Sequence, residues 1–250
     1  MTVKMVMKMV KLSVIVPCLD EEQNITETLD WLTEALILLP IKSEIIVVDD
    51  LSQDKTFDFA KRYAANSDVQ IRVFRKELHR RGYGAVIKYG MAQSNADYVT
   101  FVSADRVDPI EILSDMLKTL NSGYDLVQCS RYLDKSNTST IPFKYKFFQF
   151  FFRYFAFLAL GRKIADSTYA FKMFKRKKIL ALGVSSNRFN ISPEIMFKAV
   201  LANYTFEFIS AGQGERLIGE SKFNFKKEGF GFCMCLIRAF LHRKGIVFWF

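Results

Sequence analysis

Two apolar periods alternate through the first half of this chain, and that alternation limits the folds open to it more than any other feature. Short runs rich in β-branched residues, at 12–17 (LSVIVP), 44–48 (EIIVV), 70–74, 98–102 and 124–129, are too brief for helices and predict strands. Between them lie stretches whose apolar positions fall three and four apart, as in Ile25, Leu29, Leu32, Leu36 and Leu39. These predict helices over 24–39, from the loop at 49–54 to about 66, over 84–95 and over 109–121. Apolar strands alternating with helices imply an α/β fold, a mostly parallel sheet with helices on both faces. A chain of 250 residues can bury a full core without disulfides or a structural metal. It has no internal repeat and no Pro/Gly-rich linker, so one domain over 1–225 is expected, followed by a segment of different character at 226–250.

Ligands of such sheets bind beyond the carboxyl ends of the strands. There the sequence places Pro17 to Glu21 after the first strand and Asp49-Asp50 after the second. Ser103-Ala104-Asp105-Arg106 follow the fourth strand, and Ser130-Arg131 the fifth. Each carboxylate taken singly could be a helix cap. Gathered at one edge of a protein whose net charge is +10, they point to a cation, a sugar or a base.

Composition narrows the classes. Half of the residues are hydrophobic and a quarter charged, which excludes a disordered or collagen-like chain, and 25 are Phe. Residues 142–160 hold Lys146, Gln149 and Arg153 on one helical stripe with aromatic and aliphatic residues around it. Residues 230–250 are apolar but broken by Arg238 and by His242-Arg243-Lys244. Neither reaches the run of roughly 18 uncharged apolar residues that spans a bilayer. Both suit helices lying on an anionic membrane surface, with burial against a partner as the alternative. Cys18, Cys129, Cys233 and Cys235 form no disulfide framework or four-ligand zinc pattern, and lysines at 4, 8 and 11 interrupt the N-terminus as no signal peptide would. A reducing, cytosol-facing location is expected. Gly82-x-Gly84 follows a basic loop rather than the first strand and lacks a third glycine, against a dinucleotide site. The basic clusters fit no nucleic-acid module, so no nucleic-acid partner is expected.

In order and spacing, VIVPCLDEEQNI, EIIVVDDLSQDKT, RGYGAVIKYGM, YVTFVSADRVDP and DLVQCSRYL resemble the inverting family 2 glycosyltransferases of GT-A fold. IADSTYAFKMFKR and ERLIGESKF are similar to segments of the polyprenyl-phosphate sugar transferases, the dolichol-phosphate mannose synthases among them. The resemblance runs from about residue 11 to 225. It implies a Rossmann-like sheet and transfer of a hexose, with inversion, from a GDP- or UDP-sugar to a polyprenyl phosphate, with Mg²⁺ or Mn²⁺. It also implies a peripheral enzyme on the cytoplasmic face of a membrane, where a membrane-spanning partner subunit is plausible. By the same resemblance Pro17, Leu19, Glu21, Asp50, Asp54, Gly84 and Ala104 belong to the nucleotide-sugar site, and Arg216, Ser221 and Lys222 grip the donor diphosphate. Asp105 matches the last metal-binding Asp, and Arg131 the basic residue that meets the acceptor phosphate.

Departures matter as much. The family's Asp-x-Asp reads Ser103-Ala104-Asp105, and a hydroxyl is a weaker ligand than a carboxylate for a hard cation. A cation held by Asp105, diphosphate and water, cation-independent transfer, and binding without turnover all follow from that serine. The family's acceptor-side Arg falls on Phe150, with Arg153 a turn later as its substitute. Leu51-Ser52 replaces Gly-Ser, and Leu19 replaces an aromatic residue. Rival expectations are transfer to a sugar hydroxyl, which needs a base for which Asp166 is a poor candidate, and a silent nucleotide-sugar-binding subunit.

Overall fold

The computed structural model describes residues 9–76, 81–134, 136–138, 141–214 and 224–250. Strand β1 (Leu12–Cys18) leads into α1 (Ile25–Ile37), β2 (Ser43–Asp49), α2 (Thr56–Ala64), β3 (Gln70–Arg75), α3 (Tyr83–Gln93) and β4 (Tyr98–Phe101). A 3₁₀ turn at Ile110–Ile112 opens α4 (Leu113–Asn121), followed by β5 (Leu126–Ser130) and α5 (Phe143–Leu160). The chain continues through β6 (Lys172–Lys175), α6 (Arg176–Ala181), α7 (Ile191–Leu201), β7 (Phe206–Ser210) and α8 (Phe225–Arg243).

The strands make one seven-stranded sheet in the order β3-β2-β1-β4-β6-β5-β7. β6 runs antiparallel to both β4 and β5, and the remaining pairings are parallel. After β3 the chain crosses to the other side of β1, so the order reverses between β1 and β4 and a crevice opens beyond their carboxyl ends. Successive side chains of a strand point to opposite faces. Leu12, Val14 and Val16 therefore join the core under α1 and α4, while Ile15 packs in the core shared by α3, α5, α7 and α8. Both faces of β1 are dry, which is why its sequence is apolar apart from Ser13.

Two strands and two helices, β6, β7, α6 and α7, lie outside the sequence expectations, and in β6 and α7 the reason is that charged residues are inside. Lys172, which opens β6, is fully buried. In α7, Glu194 and Lys198 are both fully buried and paired at 2.8 Å. Glu194 also accepts the Ser185 and Ser186 N–H groups at 2.8 and 2.7 Å, and Lys198 donates to the Gly183 carbonyl at 2.7 Å. A helix whose ion pair faces inward has no amphipathic signature.

The aromatic helix α5 also departs from a simple polar stripe. Gln149 faces the interior and is 4% exposed, whereas Phe143, Phe147 and Phe150 are 79%, 57% and 70% exposed. α8 lies against α5 and α7, and its Phe232, Cys235 and Ala239 share their core. The segment after residue 225 thus begins as part of the packed body. Cys235 serves that packing and Cys233 is exposed. Among the described residues no helix is long and apolar enough to cross a membrane.

Removing one partner of a buried ion pair leaves an uncompensated charge, at a cost of about 3–5 kcal/mol. Lys198→Met should therefore lower the unfolding free energy by about that much in urea denaturation, and adding Glu194→Gln should restore part of it.

Candidate active site

The crevice holds a cavity of about 400 Å³ lined by Pro17, Leu19 and Glu21 after β1, Asp50 after β2, and Ser103, Ala104 and Asp105 after β4. Arg81, Gly82 and Tyr83 close it from the start of α3. Asp50 shapes that wall: its carboxylate accepts Lys76 Nζ at 3.1 Å and the Gly82 N–H at 2.8 Å. Gly82 sits at φ +122°, a conformation that side chains with a Cβ rarely adopt. Gly84 is required by close approach instead, because a Cβ there would meet the Ser186 and Arg188 carbonyl oxygens at 2.6 and 2.8 Å. The α6–α7 loop is thereby pressed onto the first turn of α3, and the Asn187 carbonyl accepts the Ala85 N–H at 3.1 Å.

A second cavity of about 630 Å³ adjoins the first, and Tyr83, Ser103, Asp105 and Phe189 line both. Arg131 and Tyr132 enter it from the end of β5, Pro142, Tyr145, Phe148 and Gln149 from α5 and the residue before it, and Phe232 from α8. Arg131 is held on several sides. Nε donates to Asp166 Oδ2 at 2.9 Å, Nη1 to Gln213 Oε1 at 3.0 Å, and the guanidinium lies 4.4 Å from the centre of the Tyr169 ring. Asp166 is fully buried and also accepts Gln149 Nε2 at 2.9 Å and the Thr168 and Tyr169 N–H groups at 3.1 and 3.2 Å. Burial acts to raise its pKa, but the Arg131 guanidinium and these donors outweigh it and hold the carboxyl below the ordinary carboxylate range. A carboxylate so saturated makes a poor base.

Two further buried titratable groups, Asp108 and Lys172, lie behind the cavity walls. Asp108 accepts the Ser103 N–H at 2.7 Å, fixing the Ser-Ala-Asp turn, and burial, aided by the Asp105 charge, pushes its pKa up. Lys172, under the second cavity, donates to the Tyr169 carbonyl and Ser192 Oγ, and burial lowers its pKa to about 7. Among the described residues no three His, Cys, Asp or Glu side chains gather as a metal cage. Asp105 and Ser103 bring one carboxylate and one hydroxyl to the wall that both cavities share, a smaller oxygen set than a divalent cation ordinarily takes.

Pro17, Leu19, Glu21, Asp50, Ser103, Ala104 and Asp105 thus line the first cavity and Arg131 the second. Gly84 stands behind the wall of the first. Asp54 lines neither; it accepts the Glu22 N–H and the Thr56 N–H, both at 3.0 Å, tying the loop after β1 to the start of α2. Arg153 also lines neither, and its guanidinium lies 5.9 Å from the centre of the Tyr132 ring. Arg216, Ser221 and Lys222 fall outside the described residues. Sequence reasoning overlooked Tyr83, Arg188, Phe189 and Glu228 in the first cavity; the RGYG turn was a signal for Tyr83, but nothing in SSNRFN marked a site.

Residues 13–183 match the model of Glycosyl transferase family 2. The chain belongs to that family. It is 29% identical over 227 residues to an uncharacterised glycosyltransferase of Synechocystis sp., covering 87% of this chain and 66% of that one. It is 27% identical over 221 residues to the dolichol-phosphate mannosyltransferase of Pyrococcus furiosus (86% and 60% covered). Against an undecaprenyl-phosphate 4-deoxy-4-formamido-L-arabinose transferase of Photorhabdus laumondii the identity is 28% over 219 residues (87% and 64% covered). The chain therefore spans 60–66% of the length of these relatives. In fold it is similar to glucosyl-3-phosphoglycerate synthase of Mycobacterium tuberculosis, solved with Mn²⁺, UDP-glucose and phosphoglyceric acid, at a TM-score of 0.65 and 17% identity (96% of this chain, 81% of that one). The family and the GT-A-like α/β architecture expected from the sequence are both borne out.

A lysine with a folded pKa near 7 and an unfolded value near 10.5 leaves the unfolded chain binding more protons between those values. Stability should therefore rise with pH across that window, by at most about 1.4 kcal/mol per pH unit. Denaturant titrations at pH 7, 8 and 9 should show that rise relative to Lys172→Met; parallel curves would mean Lys172 does not titrate there.

Proposed function

We propose that this family 2 glycosyltransferase moves a hexose from a GDP- or UDP-sugar to a polyprenyl phosphate at a membrane surface, with inversion. The observation that carries this reading is the meeting of two cavities at Asp105, with Arg131 fixed in the second under the aromatic helix α5. The relatives named for dolichol-phosphate and undecaprenyl-phosphate acceptors support the acceptor class, and the UDP-glucose complex of the structural neighbour supports a nucleotide-sugar donor.

The chemistry suits these side chains. A phosphate monoester, with a second pKa of about 6, is already anionic near neutral pH and needs orientation more than a base. Arg131 would bind and orient it, with Gln213 and Tyr169 fixing the guanidinium. The saturation of Asp166 argues against a hydroxyl acceptor. A phosphate oxygen then attacks the anomeric carbon as the bond to the nucleoside diphosphate breaks on the opposite side. Mg²⁺ or Mn²⁺ bound by Asp105, Ser103 and the diphosphate would stabilise the leaving charge. The serine in that pair favours one second reading, a nucleotide-sugar-binding subunit without turnover.

The test is transfer from radiolabelled GDP- and UDP-hexoses to polyprenyl phosphate in detergent, with Mg²⁺, Mn²⁺ or EDTA. A labelled lipid product that EDTA abolishes is expected; nucleotide binding with no product from any donor would favour the silent subunit. Arg131→Lys keeps the charge but loses the planar fork, and should cut transfer about tenfold or more with nucleotide affinity unchanged. Equal transfer would reject the acceptor role.

The outer face of α5 supports the membrane assignment. An apolar face beside basic residues settles into the headgroup region. Phe147→Ser with Phe151→Ser, both at exposed positions, should reduce co-sedimentation with anionic phospholipid vesicles and leave nucleotide binding intact. Unchanged sedimentation would place lipid contact elsewhere.

A further inference from the structure

The α6–α7 loop contributes an arginine to the first cavity that neither its sequence context nor the family resemblance marked. Arg188 lines the cavity beside Phe189, whose ring stacks on Tyr83 at 4.9 Å. Its backbone is fixed from two directions. The carbonyls of Ser186 and Arg188 press on Gly84, and Lys88 Nζ donates to the Ser185 carbonyl at 2.8 Å and to Asn187 Oδ1 at 2.7 Å. From the other side, the Glu194 carboxylate accepts the Ser185 and Ser186 N–H groups. The side chain is fixed as well. Nε and Nη2 both donate to Glu228 Oε1 of α8, at 2.9 and 2.6 Å. No hydrogen bond engages Nη1 among the described residues.

We infer that Arg188 is an anion-contacting residue of the donor cavity, oriented by Glu228 to meet the charged phosphates of the nucleotide. The inference rests on reading that cavity as the nucleotide site. A 4%-exposed carboxylate in the wall of an anion-binding cavity would repel its ligand unless a cation stood between them, and Arg188, with 57% of its side chain exposed, occupies that place. Glu228 takes one edge of the guanidinium, and the planar fork keeps donors on another edge that match phosphate oxygens. A loop held at both ends and a side chain held by a buried acceptor leave little freedom to lose on binding. The position has added weight in a chain with Ser103 beside Asp105, because a cationic side chain can neutralise diphosphate charge where a cation is weakly held. α8, which packs beneath α5, would then contribute to donor recognition through its first turn.

The test is titration calorimetry of the full chain with UDP and GDP, and with uridine and guanosine, in buffer containing Mg²⁺. One charge-assisted hydrogen bond corresponds to about ten- to a hundredfold in affinity. Arg188→Ala should weaken the diphosphate that wild type binds by that factor and change nucleoside affinity less than about threefold. Arg188→Lys should recover part of the loss. Since Arg188→Ala leaves Glu228 buried without its partner, Arg188→Ala with Glu228→Gln is measured alongside, and the same diphosphate-specific loss is expected in it. Equal losses for diphosphate and nucleoside, or unchanged diphosphate affinity, would make Arg188 a strut between loop and helix and overturn the inference. Failure of wild type to bind any of the four compounds would overturn the nucleotide reading itself.

Discussion

A carboxylate with no exposed surface holds the walls of the second cavity together. Asp166 receives Arg131 from the end of β5, Gln149 from α5 and the N–H groups of the turn that leads into β6. Each bond has a consequence beyond neutralising the charge. The bond to Arg131 stretches a guanidinium across the floor of the second cavity. The bond to Gln149 sets the rotation of α5, and because that polar residue points inward, Phe147, Phe150 and Phe151 point outward. One buried charge thus ties the arginine of the second cavity to the exposed aromatic face. An isolated buried carboxylate is expensive, so the site can exist only with its donors in place.

The first cavity is organised by backbone instead. Asp50 fixes the Gly82 N–H, Asp108 fixes the Ser103 N–H, and Gly84 lets the α6–α7 loop close onto α3. These contacts put the loops after β1, β2 and β4 around a single crevice at the reversal of strand order. Tyr83, Asp105 and Phe189 then stand in the wall common to both cavities. Electrostatics divides in the same way: in the first cavity Asp50 is paired with Lys76 and Glu228 with Arg188, while Arg131 with its partner Asp166 marks the second.

The first half of the fold was legible because β1, β2 and β4 are dry on both faces and helices such as α1 are wet on one. Pro17, Glu21, Asp50 and Asp105 could be found from the rule that ligands gather beyond strand ends. Two elements of the second half hid behind buried charge. Lys172 made β6 look like a surface segment, and the inward ion pair of Glu194 and Lys198 removed the amphipathic period from α7. Gln149 was visible as part of a polar stripe, but polarity alone does not tell whether such a stripe meets water or a buried carboxylate. Arg188 and Glu228 were not legible at all, since they lie 40 residues apart and only the packing of α8 brings them together.

The central claim is that two anionic ligands bind at once on opposite sides of Asp105. A crystal structure of the protein with a nucleoside diphosphate and a short-chain polyprenyl phosphate tests it most directly. The account predicts the nucleotide among Pro17, Asp50 and Ala104, the lipid phosphate within hydrogen-bond distance of Arg131, and the lipid chain leaving along α5. A lipid phosphate in the first cavity, or one bound away from Arg131 while the nucleotide is in place, would contradict it.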